Sequence, residues 1–148
     1  MDDDLHLTNG SGLGAKWARG APYWQSVLRI VAAFVFMAFG SSKLFAFPAA
    51  ILPNGMTARP PSLPWTAGWL ELLGGALLLL GLFTRPVAFL LAGEMAFAYF
   101  KFHLPKSFWP TVSGGVPALL FCFLWVYLSA AGGGPWSLDA LLRRRRRR

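Results

Sequence analysis

The stretch Trp65–Arg85, WTAGWLELLGGALLLLGLFTR, decides the fold. It is apolar from Trp65 to Phe83 apart from one charge, Glu71, and it closes on Thr84-Arg85-Pro86. A helix of about 20 apolar residues, rising about 1.5 Å per residue, crosses a hydrocarbon core of about 30 Å. Membrane strands would instead alternate apolar and polar residues over segments of about 10 positions. The stretch shows no such alternation. Backbone groups in lipid must also be satisfied internally, so it reads as a spanning helix.

Three further stretches read the same way. Upstream, residues 27–47 are apolar and stop at Pro48. Residues 48–65 carry Pro48, Pro53, Asn54-Gly55, Pro60-Pro61 and Pro64, which exclude a continuous helix. Downstream, Pro86 suits the first turn of a helix over 87–103. A loop with Pro105 and Pro110 leads to a last apolar segment, 114–131, closed by Gly132-Gly133-Gly134-Pro135. After it, Trp136-Ser137-Leu138-Asp139 is suited to cap a short interfacial turn. The expected fold class is therefore all-α, an antiparallel bundle of four transmembrane helices with spans at 27–47, 65–83, 87–103 and 114–131. Residues 1–22 are expected to be a disordered tail, 23–142 the membrane domain, and 143–148 a polyarginine tail.

Composition agrees with this reading. The chain has 148 residues, 55% of them hydrophobic and only 14% charged, whereas a soluble domain carries about 25% charge. The net charge of +8 is concentrated, since the run Arg143–Arg148 supplies much of it. Beside a membrane helix such a run is expected to meet anionic lipid head groups rather than nucleic acid. The start, Met1-Asp2-Asp3-Asp4, lacks the basic n-region of a signal peptide, so the first span is expected to act as an uncleaved anchor.

Basic residues set the orientation. An even number of spans puts both termini on one side, with Lys16, Arg19, Arg29, Arg85 and the terminal arginines. Arg59, Lys101 and Lys106 fall on the other. Basic residues prefer the cytoplasm, so the expected arrangement is N-in and C-in, in the bacterial inner membrane. Arg29, Arg85, Arg143, Arg144 and Arg145 are assigned to topology and anionic-lipid contact. Trp24 and Trp136 are expected at the inner interface, and Trp65, Trp69 and Trp109 at the outer one.

Charges at membrane depth are costly and mark candidate sites. Lys43 lies roughly 24 Å above the inner boundary, and Glu71, descending from the outer side, roughly 21 Å above it. A Lys43–Glu71 ion pair is expected, since pairing offsets the cost of burying either charge alone. Glu94 falls near the midplane, roughly 12 Å up, and Lys101 roughly 22 Å up, with His103 near the outer interface. Glu94 and Lys101 are seven apart and would share a helix face. Gly68 and Gly75 flank Glu71 on its own face, and Gly40 does so for Lys43, which favours close helix approach at that level. The candidate buried polar or ligand-site residues are thus Lys43, Glu71, Glu94, Lys101 and His103.

Other chemistries lack their residues. A single cysteine, Cys122, cannot form an internal disulfide or a thiol pair. The two histidines, His6 and His103, are not at metal or haem spacing, so no metal site is expected. No phosphate loop or Ser/His/Asp set is present. The chain encodes no self-contained catalytic motif and is at most a subunit of an enzyme.

The residues together resemble the DoxX family of small bacterial membrane proteins. The resemblance rests on Arg29 with Gly40-Ser41-Ser42-Lys43-Leu44-Phe45, on Glu71-Leu72-Leu73-Gly74-Gly75 through Leu80-Gly81-Leu82-Phe83-Thr84-Arg85, and on Gly133-Gly134-Pro135-Trp136-Ser137-Leu138-Asp139. Trp136 stands where that family usually has glycine. The resemblance implies a four-helix membrane bundle and an association with thiosulfate:quinone oxidoreductase or with complexes handling oxidative stress. The paired cysteines of a thiol-exchanging branch are absent.

Three functions follow as alternatives. The first is a membrane subunit of an oxidoreductase near the quinone pool, with no encoded redox centre, a quinone as the candidate cofactor, and electrons coming from a redox partner subunit or a bound cofactor. The second is a non-enzymatic scaffold or small-molecule binder with a structural Lys-Glu pair. The third is a proton or solute path through Glu94 and Glu71, which would need a homo-oligomer.

Overall fold

The computed structural model describes residues 13–146, and their regular structure is entirely helical. Helix α1 spans Leu13–Phe45, α2 Leu63–Leu80 and α3 Thr84–Ala98. A π-helical turn, Tyr99–His103, continues α3. A short α4, Pro110–Ser113, precedes α5, Val116–Ala131, and α6 covers Leu138–Arg145. Trp17–Phe45 and Leu63–Leu80 are long and apolar enough to cross a membrane, and Val116–Ala131 is a shorter apolar helix.

The first helix begins earlier than the sequence suggests. Residues 1–12 of the expected tail lie outside the described residues, but Leu13 to Pro22 are helical. Gly14, Gly20 and Pro22 weaken helix propensity there. Side-chain packing opposes that weakness: Trp17 and Trp24, seven positions apart, stack with ring centroids 5.9 Å apart. Residues 147–148 of the polyarginine tail also lie outside the described residues.

α1 pairs with α2, and α3 with α5, while α2 and α3 meet along a shorter seam. The α1–α2 pair is antiparallel and held close by glycine. A Cβ on Gly40 would lie 2.6 Å from the Gly68 carbonyl oxygen and 2.7 Å from the Leu72 nitrogen. Further along, a Cβ on Gly75 would lie 2.6 Å from Met37 Cγ. Side chains cannot occupy these points, so the backbones approach directly. The core between the pairs contains Phe36, Leu78, Leu91, Trp125 and Leu128, all buried. Phe36, Phe121 and Trp125 form an aromatic knot, with centroids 5.1 to 5.5 Å apart.

Gly81 ends α2 in the left-handed region at φ 68°, and Phe83 precedes α3 at φ 50°. Phe83, bearing a side chain, pays conformational strain there. Asp139 supports the turn, because its carboxylate accepts the backbone N–H of Phe83 at 2.9 Å and of Thr84 at 2.8 Å. The Asp139 N–H in turn donates to the Gly81 carbonyl at 3.0 Å. Ser137 caps α6, its hydroxyl accepting from the Ala140 N–H at 3.2 Å. The closing Ser-Leu-Asp segment therefore caps one helix with its serine and another with its aspartate.

Candidate functional site

Lys43 lies near the end of α1, and Glu71 two turns into α2, where the Gly40–Gly68 contact brings the helices together. Lys43 Nζ donates to Glu71 Oε1 at 2.5 Å, with the Glu71 side chain 3% exposed. The other oxygen, Glu71 Oε2, is buried and has no partner. Pairing and hydrogen bonding offset the cost of burying Glu71.

Glu94 is the exception. Both of its carboxyl oxygens are buried, and neither has a hydrogen-bond partner among the described residues. A buried carboxyl without partners is costly, a cost that a bound proton, water or ligand relieves. Glu94 and Glu71 line one cavity of about 330 Å³ with Lys43, Met95 and His103. A second cavity, about 210 Å³, lies against Lys43, Glu71 and His103, with Phe36, Phe39 and Phe121 among its apolar walls.

The π turn decides which residues of this region face inward. In an uninterrupted α-helix, nine residues at about 100° each would put His103 about half a turn from Glu94. The turn closes with Leu104 N–H donating to the Tyr99 carbonyl at 2.9 Å, one residue wider than an α-helical bond. That shifts the phase and brings His103 to the wall of the larger cavity, which Glu94 also lines. The turn seats against Gly115, whose Cβ would lie 2.8 Å from His103 Cβ. His103 Nδ1 lies 3.0 Å from the Ser113 carbonyl oxygen. A carbonyl only accepts, so Nδ1 carries the proton.

The same phase shift corrects an expectation. The sequence places Lys101 on the face of Glu94 and level with Lys43 and Glu71. It is exposed and lines neither cavity. Of the five candidates, the fold gathers Lys43, Glu71, Glu94 and His103 and leaves Lys101 outside.

Arg29 corrects a second expectation. The charge pattern assigns it to topology and lipid contact, yet it is fully buried. Its Nε donates to the Gly133 carbonyl at 2.9 Å and Nη2 to the Trp136 carbonyl at 2.6 Å. Nη1 donates to the carbonyls of Leu78 and Leu79. Those two belong to the last turn of α2, at the negative end of the helix dipole, and the Leu78 carbonyl also accepts the Gly81 N–H at 3.0 Å. Arg29 thus joins α1, the end of α2 and the closing segment. Apolar sequence around Arg29 gave its depth, but not the three segments whose carbonyls meet there. Arg85, Arg143, Arg144 and Arg145 are exposed.

Sequence reasoning also missed Thr84, which is fully buried with an unpartnered hydroxyl, and the helix-capping role of Asp139. The Ser-Leu-Asp spacing pointed to a cap on its own helix only. Among the described residues no group of His, Cys, Asp and Glu could hold a metal ion.

Comparison with known proteins gives two matches. The DoxX family model matches residues 25–104, which includes Arg29, Lys43, Glu71, Glu94 and His103. An uncharacterized protein of Haemophilus influenzae is 42% identical over 122 residues, covering 80% of this chain and 90% of that protein. No solved structure matches the chain.

Proposed function

This chain belongs to the DoxX family, and from that premise we propose that it is a four-span inner-membrane protein binding an amphipathic ligand of the quinone class beside the Lys43–Glu71 pair. In this reading both termini are cytoplasmic and the chain serves as a membrane subunit of an oxidoreductase complex. The observation that carries it is the cavity of about 330 Å³ where Glu94 has two buried, unpartnered oxygens beside Lys43, Glu71 and His103.

Exposed aromatic residues support the membrane reading. Phe34 on α1, Phe89 on α3 and Phe123 on α5 are 66%, 74% and 67% exposed. Water does not favour such faces, whereas lipid does. α3 with its π turn and α5 then complete the set of spans begun by α1 and α2.

The cavity fits the ligand class by size and chemistry. Small-molecule sites start at about 300 Å³ and combine apolar walls with a few fixed polar groups. Leu70, Met95 and Phe102 offer walls for a ring and its tail. Lys43 Nζ can donate to a ring oxygen. His103 Nε2 and the Glu94 carboxyl can accept from, or when protonated donate to, the other oxygen. A bound quinone would supply two-electron, two-proton chemistry, with electrons coming from a partner subunit. The chain's own residues bind and orient the head group, exclude water and hold a proton at Glu94.

A second reading has support in the Gly40–Gly68 contact, since the Lys43–Glu71 pair lies beside it and could act solely as a register pin in a scaffold protein. Native purification followed by quinone extraction separates the two. The binding reading expects bound quinone in wild type and loss of most of it in Glu94→Gln. A protein that carries no quinone when purified from quinone-replete membranes contradicts the binding reading and leaves the scaffold.

A further inference from the structure

At the opposite end of the bundle, the α2–α3 turn, the Gly132-Gly133 pair and α6 enclose a cavity of about 300 Å³. Arg85, Arg143 and Arg146 line it. None of the three makes a salt bridge or side-chain hydrogen bond among the described residues. Arg143 and Arg146 are three apart and share one face of the α6 end. Asp139 also lines the cavity, but both its oxygens already accept the N–H groups of Phe83 and Thr84. With three arginines and one aspartate the lining has a formal charge of +2.

Thr84 is the second, independent observation. It is fully buried, its hydroxyl oxygen has no partner, and it lines this cavity. Gly133 packs closely against it, since a Cβ there would lie 2.7 Å from Thr84 Oγ1. A hydroxyl awaiting an acceptor and three unpaired guanidinium forks together match a phosphate group, which presents several acceptor oxygens.

We propose that this cavity is a binding site for the phosphate of an anionic phospholipid, held by Arg85, Arg143 and Arg146 and by the Thr84 hydroxyl. The rim identifies the source as lipid. Phe83 and Leu142 line the cavity and are 62% and 48% exposed, so acyl chains could descend beside the head group. A free phosphate ion would leave that apolar rim in water. The charge of +2 favours an anionic head group over a zwitterionic one, whose ammonium the arginines repel. The proposal rests on the membrane reading above.

The test is native mass spectrometry of the full chain from nanodiscs holding phosphatidylglycerol and phosphatidylcholine, after partial delipidation. Wild type is expected to retain phosphatidylglycerol. The variant R85Q/R143Q/R146Q should lose about tenfold of that retention. R144Q/R145Q removes two charges of the same helix that meet head groups only outside the cavity, and should cost no more than about twofold. Thr84→Val keeps every charge and should show a smaller loss, with an unchanged melting temperature. Equal losses in the triple and double variants, or displacement of the lipid by millimolar inorganic phosphate, would overturn the site. Carbonate washing separates the premises: a chain that stays in the membrane while its triple variant keeps phosphatidylglycerol contradicts the site alone, and a chain released by carbonate contradicts the membrane reading.

Discussion

Arg29 Nε donates to the carbonyl of Gly133 at 2.9 Å, linking the first helix to the segment that closes the bundle. The guanidinium also serves Leu78, Leu79 and Trp136, so one side chain holds three parts of the chain. Replacing it by Met leaves buried carbonyls without donors, each costing about 1–3 kcal/mol. Arg29→Met should therefore lower the melting temperature in detergent sharply or abolish folding. Arg29→Lys should recover little, because one ammonium cannot span acceptors that a planar fork reaches. A melting temperature in Arg29→Met equal to wild type would remove the clasp from the account.

The glycine seam makes a graded prediction. Gly40→Ala puts a methyl 2.6 Å from backbone and should cost about 1–3 kcal/mol by overpacking. At Gly93 a Cβ meets nothing within 4 Å, so Gly93→Ala should be neutral or stabilising by up to about 1 kcal/mol. Thermal melts of the two variants, compared side by side, check this order.

Much of this was legible beforehand, and the reasons differ by feature. Hydropathy located the apolar helices because each is continuous and bounded by proline or glycine. The Lys43–Glu71 level followed from helical rise alone, since both helices are regular between the loop and the charge. Lys101 was misplaced because a π turn resets the phase after Ala98, and residue type does not announce that turn. Arg29 was misread for another reason. Its acceptors are backbone carbonyls, which leave no mark in side-chain identity, and two of them lie in a segment more than a hundred positions away. Asp139 was assigned to its own helix because capping signals are local, while the N–H groups it accepts belong to α3.

A register pin and a ligand site respond differently to removal of the ion pair. Removing one partner leaves a buried charge alone, at about 3–5 kcal/mol, so Lys43→Met should be strongly destabilising. The double variant K43M/E71M replaces the pair by apolar groups and should regain most of that stability. It should nonetheless fail to bind quinone. Recovery of both stability and binding would show that neither charge contacts the ligand.

Topology is open to the labelling of single cysteines. In a Cys122→Ser background, Thr57→Cys and Ser107→Cys should react with an impermeant maleimide in intact spheroplasts. Ala21→Cys should react only after permeabilisation. Labelling of residues 57 and 107 from opposite sides would contradict the four-span reading.

The central claim is that Glu94 faces a ligand beside Lys43, Glu71 and His103. Photo-crosslinking with an azido-quinone in native membranes, followed by peptide mapping, tests it most directly. The expected adducts fall on Met95, Phe102 and Leu70, which line the larger cavity, and are lost in Glu94→Gln. Adducts confined to exposed faces such as Phe89 and Phe123, and unchanged in Glu94→Gln, would contradict it.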